Sequence, residues 1–186
     1  MSCAPFELTG PSLTLRELQL GDAPRILALL RDPEVSRYFL WAPPRDLAEA
    51  REYVQSFQDE VALEWAYHFA VVRRGDRMLA GVANLYHIDA AASEAEIGLW
   101  LGQAYWGRGL QQEVSRLLLE FGFVGLGLDR LLFRVAAENG RARSAFLKLG
   151  VTERGRVLLF SRPQDRMVEH LVYGLEAGEW QTGLMM

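Results

Sequence analysis

The sequence predicts an α/β domain over residues 1–186, a mixed sheet with helices on its faces, in the order β-α-α-β-β-β-α-β-α-β-β. Three patterns carry that expectation. Apolar residues recur at 3,4 spacing in some segments and at period two in others, a glycine-bearing turn runs straight from a strand into a long helix at Trp106-Gly107-Arg108-Gly109-Leu110, and a 50% hydrophobic fraction in 186 residues supplies a full core.

The elements follow in order. Leu13 to Leu18 alternates and opens the first strand, after which Asp22 caps a short helix with Pro24 in its first turn and Ile26, Leu29 and Leu30 on one face. Asp46 and Glu49 form a capping box for a second helix, whose Ala50, Tyr53, Val54 and Phe57 make a buried stripe. Between them lies the aromatic loop Tyr38 to Pro44, whose rings either close the edge of the core or line a substrate mouth. Trp65 to Arg73, Met78 to His87 and Glu94 to Leu101 read as an antiparallel meander. A helix is expected from about Gln111 to Val124, an internal strand at Leu131 to Ala137, a helix from Gly140 to Leu149 stopped by Gly150, and closing strands at Val157 to Ser161 and Met167 to Leu175.

Composition removes several function classes. Twenty basic against twenty-four acidic residues give a net charge of −4, which argues against nucleic acid or an anionic membrane as a general partner. No run of apolar residues is long enough to span a bilayer, and the first eleven residues lack the basic and apolar blocks of a secretory signal. One cysteine, Cys3, forms no intrachain disulfide and fits a reducing cytoplasm; His68, His87 and His170 show no metal-ligand spacing, so no metal is expected.

The chemistry concentrates at residues 94–113. A glycine-bearing turn opening a helix aims backbone N–H groups and the positive helix end at one point, which suits an anion such as phosphate, although a glycine pair there also serves as a plain reversal. It is neither a Gly-Lys-Ser/Thr loop nor Gly-x-Gly-x-x-Gly, since position 112 is Gln. Strand alternation puts Glu94, Glu96, Gly98 and Trp100 on one face, and a carboxylate in so apolar a strand needs a purpose.

Glu94-Ala95-Glu96-Ile97-Gly98-Leu99-Trp100-Leu101-Gly102 followed by Tyr105-Trp106-Gly107-Arg108-Gly109 resembles the acetyl-CoA-binding motif of the GNAT superfamily of N-acetyltransferases, with the flavour of the subgroup that acetylates N-terminal amines of ribosomal proteins. Leu15-Arg16-Glu17-Leu18, Glu138-Asn139 through Lys148-Leu149-Gly150, Val172-Tyr173-Gly174-Leu175 and Glu179-Trp180 extend the resemblance over nearly the whole chain.

The resemblance implies the acyl-CoA N-acyltransferase fold, with a splay between two central parallel strands, and acetyl-CoA as acyl donor. Its pyrophosphate would meet the amides of Gly107, Arg108, Gly109, Leu110, Gln111 and Gln112. Its pantetheine arm would pair beside the strand ending at Leu101, whose backbone N–H would polarise the thioester carbonyl. Arg108 either adds charge near the phosphates or is a solvated turn residue, and Asn139 either binds pantetheine or is an N-cap; Arg141, Arg143 and Lys148 give the next helix a basic side within reach of the adenosine phosphates. The implied reaction is direct attack of an amine on the thioester, with Glu96 in a catalytic or amine-binding role or else a structural hydrogen-bond partner.

Two positions depart from the family pattern. Ala142 and Phe146 stand where relatives carry a serine or tyrosine general acid, and neither donates a proton. Ser144 and Tyr173 are the remaining hydroxyl candidates, Ser144 pointing about 200° away from position 142 around a helix. Gln111 replaces the usual small residue. These departures keep open an acetyl-CoA-binding sensor or interaction module with weak or no catalysis. The acceptor is a small-molecule or protein amine; the apolar run Val157 to Phe160 leaves a homodimer open.

Overall fold

In a computed structural model, which describes residues 7–183, the expected α/β architecture is present with three additions. The elements are β1 (Glu7–Thr9), β2 (Leu13–Glu17), α1 (Ala23–Leu30), α2 (Pro33–Ser36), α3 (Leu47–Ala62), β3 (Tyr67–Arg73), β4 (Leu79–Asp89), β5 (Glu94–Leu101), α4 (Leu110–Glu120), β6 (Arg130–Ala136), α5 (Gly140–Leu147), β7 (Thr152–Ser161), β8 (Arg166–Glu176) and α6 (Ala177–Gly183). Strand β1, helix α2 and helix α6 were not expected, because three or four residues, or seven carrying two glycines, hold no readable period. Cys3 and residues 184–186 lie outside the described residues.

The eight strands form one sheet in the order β1-β2-β3-β4-β5-β6-β8-β7. Neighbours are antiparallel except β5 and β6, which run parallel. Two apolar layers flank the sheet. On one face α1 and α3 cover Ala70, Val82 and Trp100 with Ile26, Ala50 and Val54; on the other α4 and α5 cover Ile97, Leu131 and Phe133 with Val114, Leu118 and Phe146. The helix expected over 111–124 is α-helical only to Glu120, then widens into a π turn over Phe121–Gly125, where Gly122 lies so close to Leu131 that a Cβ would meet its side chain at 2.7 Å.

The C-terminal hairpin corrects a second expectation. Val157 to Phe160 looked continuous, yet the strand starts at Thr152 and the run alternates, with Val157 and Leu159 half-buried and Leu158 and Phe160 exposed. Strand β7 is the sheet's edge, and Met167 opposite Phe160 is exposed as well. Among the described residues no helix is long and apolar enough to cross a membrane.

Candidate active site

The site begins where the two parallel strands part. Their register runs from Glu94 opposite Arg130 to Ile97 opposite Phe133 and stops there, while both strands continue, β5 to Leu101 and β6 to Ala136. Gly102 donates its amide back to Ala80 on β4, so along this ladder the even-numbered residues face β4 and Leu99 and Leu101 face the gap. Just past β6, Ala137 donates to Glu169 on β8, which turns the main-chain groups of Arg134 and Ala136 toward the same gap. The Leu101 carbonyl accepts the Trp106 indole N–H at 2.8 Å, and that of Ala136 accepts the Asn139 amide at 2.9 Å. The amides of Leu99 and Leu101 are thus main-chain donors aimed into an opening between strands.

A cavity of about 820 Å³ fills this opening and reaches both faces of the sheet. At its first end Trp106 and Gln111, on either side of the loop into α4, line it. Gly107 and Gly109 sit at φ +70° and +77°, a left-handed conformation that disfavours any side chain, and Gly109 is the N-cap of α4 with no side-chain cap of its own. The first-turn amides of Leu110, Gln111 and Gln112 have no acceptor within the helix and carry its positive end. The loop is held by Tyr105, whose hydroxyl accepts from Arg25 at 2.8 Å, and by Trp106, over whose ring Arg141 stacks at 3.3 Å.

At the other end a buried carboxylate is surrounded. Glu96, with its side chain only 4% exposed, accepts the Tyr86 phenol at 2.6 Å, pairs with Arg134 at 2.9 Å and meets His87 Nδ1 at 3.3 Å. Tyr86 pairs with Glu96 in register across β4 and β5, and Gly98 leaves room for its ring, because a Cβ there would lie 2.9 Å from Tyr86 Cε1. Burial, then the neighbouring carboxylate, push the Tyr86 phenol well above its ordinary range, so it stays a donor. Arg134 comes from β6 one residue past Phe133, the last to pair with β5, and its Nε is buried without a hydrogen-bond partner.

The roof is aromatic. Phe39 stacks on Trp41, Trp41 on Tyr53, and Phe57 lies flat on His68 at 3.8 Å. His68 is itself locked, with Nε2 on Glu60 and Nδ1 on the Asn84 side chain, both at 2.8 Å. The loop 38–44 therefore does both things the sequence left open: Phe39 and Trp41 pack against the α1/α3 core and also line the cavity. Ser161 and Arg162 tie it down, donating to the carbonyls of Phe39 and Leu40.

With a splayed parallel pair, a free helix N-terminus and a through-going cavity in place, the comparison with known proteins is direct. A family profile described as an acetyltransferase (GNAT) domain matches residues 12–152. The chain belongs to the GNAT acetyltransferase family. It is 28% identical over 168 residues to the "Uncharacterized N-acetyltransferase p20" of Bacillus licheniformis, across 90% of this chain and 94% of that protein. The Bacillus subtilis relative named "Putative ribosomal N-acetyltransferase YdaF" is 25% identical over 175 residues, 91% of this chain and 93% of its own length. Among solved structures, a spermidine N-acetyltransferase from Vibrio cholerae in complex with CoA and spermine has a TM-score of 0.79 at 21% identity, over 92% of this chain and 99% of that one. These names carry a ribosomal acceptor in one case and spermidine in another, so the superfamily stands while the ribosomal-protein subgroup is not singled out.

Placed on this GNAT fold, the expected site residues divide. Leu101, Gln111, Asn139 and Glu96 line the cavity. Gly107, Gly109, Leu110 and Gln112 form the loop and first turn beside it, and Arg108 is exposed on that turn. Asn139 is an N-cap, accepting the Ala142 amide at 3.1 Å. Three residues stand elsewhere. Ser144 is exposed on α5 and absent from the cavity wall, as its angle around the helix requires. Tyr173 is 2% exposed in the core on the α4/α5 face, because β8 register places it opposite Phe133. Arg143 turns inward, donating to the Ala137 carbonyl at 3.0 Å and to the Tyr173 hydroxyl at 3.4 Å. No group of three or more His, Cys, Asp or Glu among the described residues is arranged to hold a metal ion.

Of the basic residues expected on α5, Arg141 is the one that reaches the cavity, while the gathering of Tyr86, His87 and Arg134 around Glu96 is not read from the sequence. Arg134 left a trace in the sequence, a lone charge inside an apolar strand at the same period as Leu132 and Ala136. Its partner across the parallel pair, however, follows only from the register.

Proposed function

We propose that this GNAT chain transfers the acetyl group of acetyl-CoA to a primary amine by direct attack within a ternary complex. The observation that carries the reading is a cavity that runs from Trp106 and Gln111, at the start of α4, through the β5/β6 gap to the Glu96 cluster on the opposite face. The α4 first turn and the glycine loop would receive the diphosphate, the gap-facing amides of Leu99 and Leu101 the pantetheine and thioester carbonyl, and Arg141 or Arg108 the phosphate charge. Carboxylates of Glu60, Glu64 and Glu96 line the acceptor end and suit an amine that arrives protonated. Protein N-termini and small amines both meet that description. A cytoplasmic setting is supported by the single cysteine in 186 residues, and the exposed Leu158, Phe160 and Met167 on the β7 edge support a homodimer through that hairpin.

Bond making is simple to follow. Once the ammonium has given up a proton to water, the amine lone pair forms the C–N bond, the carbonyl oxygen carries the transient negative charge, the C–S electron pair leaves on sulfur, and the nitrogen sheds its second proton. None of the positions weighed for a side-chain acid supplies one: Ala142 has none, Phe146 is buried against Phe133 at 4.7 Å, and Ser144 and Tyr173 lie off the cavity. A thiol with an ordinary pKa of about 8.5 leaves tolerably and takes its proton from water.

The absence of an acid at positions 142 and 146 favours a second reading, a coenzyme-binding module with little or no catalysis. One assay separates them. Wild-type protein with acetyl-CoA and a panel of primary amines and N-terminal peptides releases free CoA under the first reading, and Glu96→Gln loses that release while retaining coenzyme binding. Coenzyme binding with no release on any amine selects the module.

A further inference from the structure

We infer that His87 is the proton acceptor of this site and that Glu96 is the residue that positions it. The inference rests on the acetyl-transfer reading above and names the group that reading leaves open. Three histidines line the cavity, and the structure treats them differently. His68 has both ring nitrogens occupied, by Glu60 and Asn84, under the flat face of Phe57. His170 is 4% exposed with Nδ1 donating to the Val168 carbonyl at 3.1 Å, and no carboxylate pairs with it, so its imidazolium would be buried without a counter-charge. His87 has its side chain 68% exposed, in contact with both water and the cavity.

Its surroundings orient it. A carboxylate only accepts, so the nitrogen that meets Glu96 Oε2 at 3.3 Å, Nδ1, carries the hydrogen, and in the neutral ring Nε2 keeps its lone pair. Glu96 itself is a poor base, since its oxygens already receive Tyr86 at 2.6 Å and Arg134 at 2.9 Å. The ring packs edge-on against Tyr86 at 4.6 Å. The backbone is committed as well: His87 sits at φ +51°, where the β4/β5 register shifts between Tyr86 and Asp89, and that left-handed residue turns the side chain out of the strand's alternation. The charged or titratable groups around it are thus Tyr86 on β4, Glu96 on β5 and Arg134 on β6, with Glu60, Glu64 and His170 elsewhere on the cavity wall.

Glu96 and Leu99 are three residues apart, about 10 Å along the strand, so the proton crosses the cavity through water. The ammonium first passes one proton by way of water to His87 Nε2, the freed lone pair forms the C–N bond, the imidazolium, held beside the Glu96 carboxylate, returns its proton to solvent, and as the C–S pair leaves as CoA thiolate the nitrogen's remaining surplus proton goes to water. Imidazole suits this step because it exchanges a proton near neutrality.

The test compares wild type with His87→Asn, chosen because asparagine tolerates the left-handed backbone, and with His170→Asn, following acetyl transfer from pH 5.5 to 9 and acetyl-CoA affinity. The inference expects His87→Asn to bind acetyl-CoA as wild type does, to lose about 100-fold in kcat/KM with the acid limb of the pH profile abolished, and to regain rate with added imidazole. Glu96→Asp is expected to keep that limb but displace it, a change that a purely structural carboxylate would not cause. An unaltered pH profile in His87→Asn, or the same loss in His170→Asn, overturns the assignment while leaving acetyl transfer in place. No transfer by wild type to any amine overturns it together with the function on which it rests.

Discussion

The two ends of the cavity are built from different materials. Around the α4 N-terminus the surface is main chain: the amides of the first turn, the left-handed Gly107 and Gly109, and the gap-facing amides of Leu99 and Leu101. At the opposite end it is side chain: Glu96, Tyr86, Arg134 and His87 drawn from three strands, beneath the rings of Phe39, Trp41 and Phe57. A backbone-built end tolerates most side-chain changes but fails when a glycine or an amide is removed. A side-chain-built end depends on charge balance, and one lost partner leaves a buried charge behind. This division suits a common donor bound at one end and a particular acceptor chosen at the other.

The sharpest way to break the side-chain end is Arg134→Met. With its cation gone, Glu96 stays buried with only the Tyr86 and His87 hydrogens against its charge, at a cost of about 3 kcal/mol, read as a fall in thermal unfolding temperature of roughly 6–12 °C. Adding Glu96→Gln to that variant recovers most of the loss, because it is the charge that costs.

Gly109→Val probes the backbone end. It has open space for a Cβ, so the penalty is the left-handed conformation alone, about 2–3 kcal/mol for a β-branched residue. Acetyl-CoA affinity is expected to fall at least tenfold, while the Tyr86–Glu96–Arg134 cluster is undisturbed.

Tyr86→Phe returns to the side-chain-built end with a smaller effect, about 1.5 kcal/mol for a hydrogen bond to a charged acceptor. It also carries a pH signature. Folding raises the phenol's pKa by burial and by Glu96, so its contribution is complete below the ordinary tyrosine value of about 10 and declines as pH rises beyond it. Denaturant midpoints taken from pH 8 to 11 should drop more steeply in wild type than in Tyr86→Phe.

Asn139→Ala is the mildest change. Loss of its N-cap bond costs about 1 kcal/mol; a drop in acetyl-CoA affinity larger than that assigns the amide a pantetheine contact in addition.

The same division explains what could be read from the chain. Glycines before a helix, a strand ending at Leu101 and Asn139 before α5 are local patterns, and each falls at the cavity or its loop. Glu96 stood out because one carboxylate interrupts an apolar alternation. Its companions did not, since Tyr86 meets it through β4/β5 register and Arg134 through the parallel pair, relations between segments that no single stretch encodes. Ser144 and Tyr173 were sought as hydroxyls near an expected acid, and helix phase and β8 register turn them away. Arg143 failed for a similar reason: the carbonyl of Ala137 and the Tyr173 hydroxyl hold it, while Arg141, two residues earlier, lies on Trp106.

The central claim is that the glycine loop, the α4 N-terminus and the strand gap form one coenzyme site, and calorimetric titration of acetyl-CoA into wild type and Gly109→Val tests it most directly. The account predicts one coenzyme per chain, bound at micromolar concentration by wild type and at least tenfold more weakly by Gly109→Val with its fold intact. Absence of binding at millimolar coenzyme, or equal affinity in the two proteins, would contradict it.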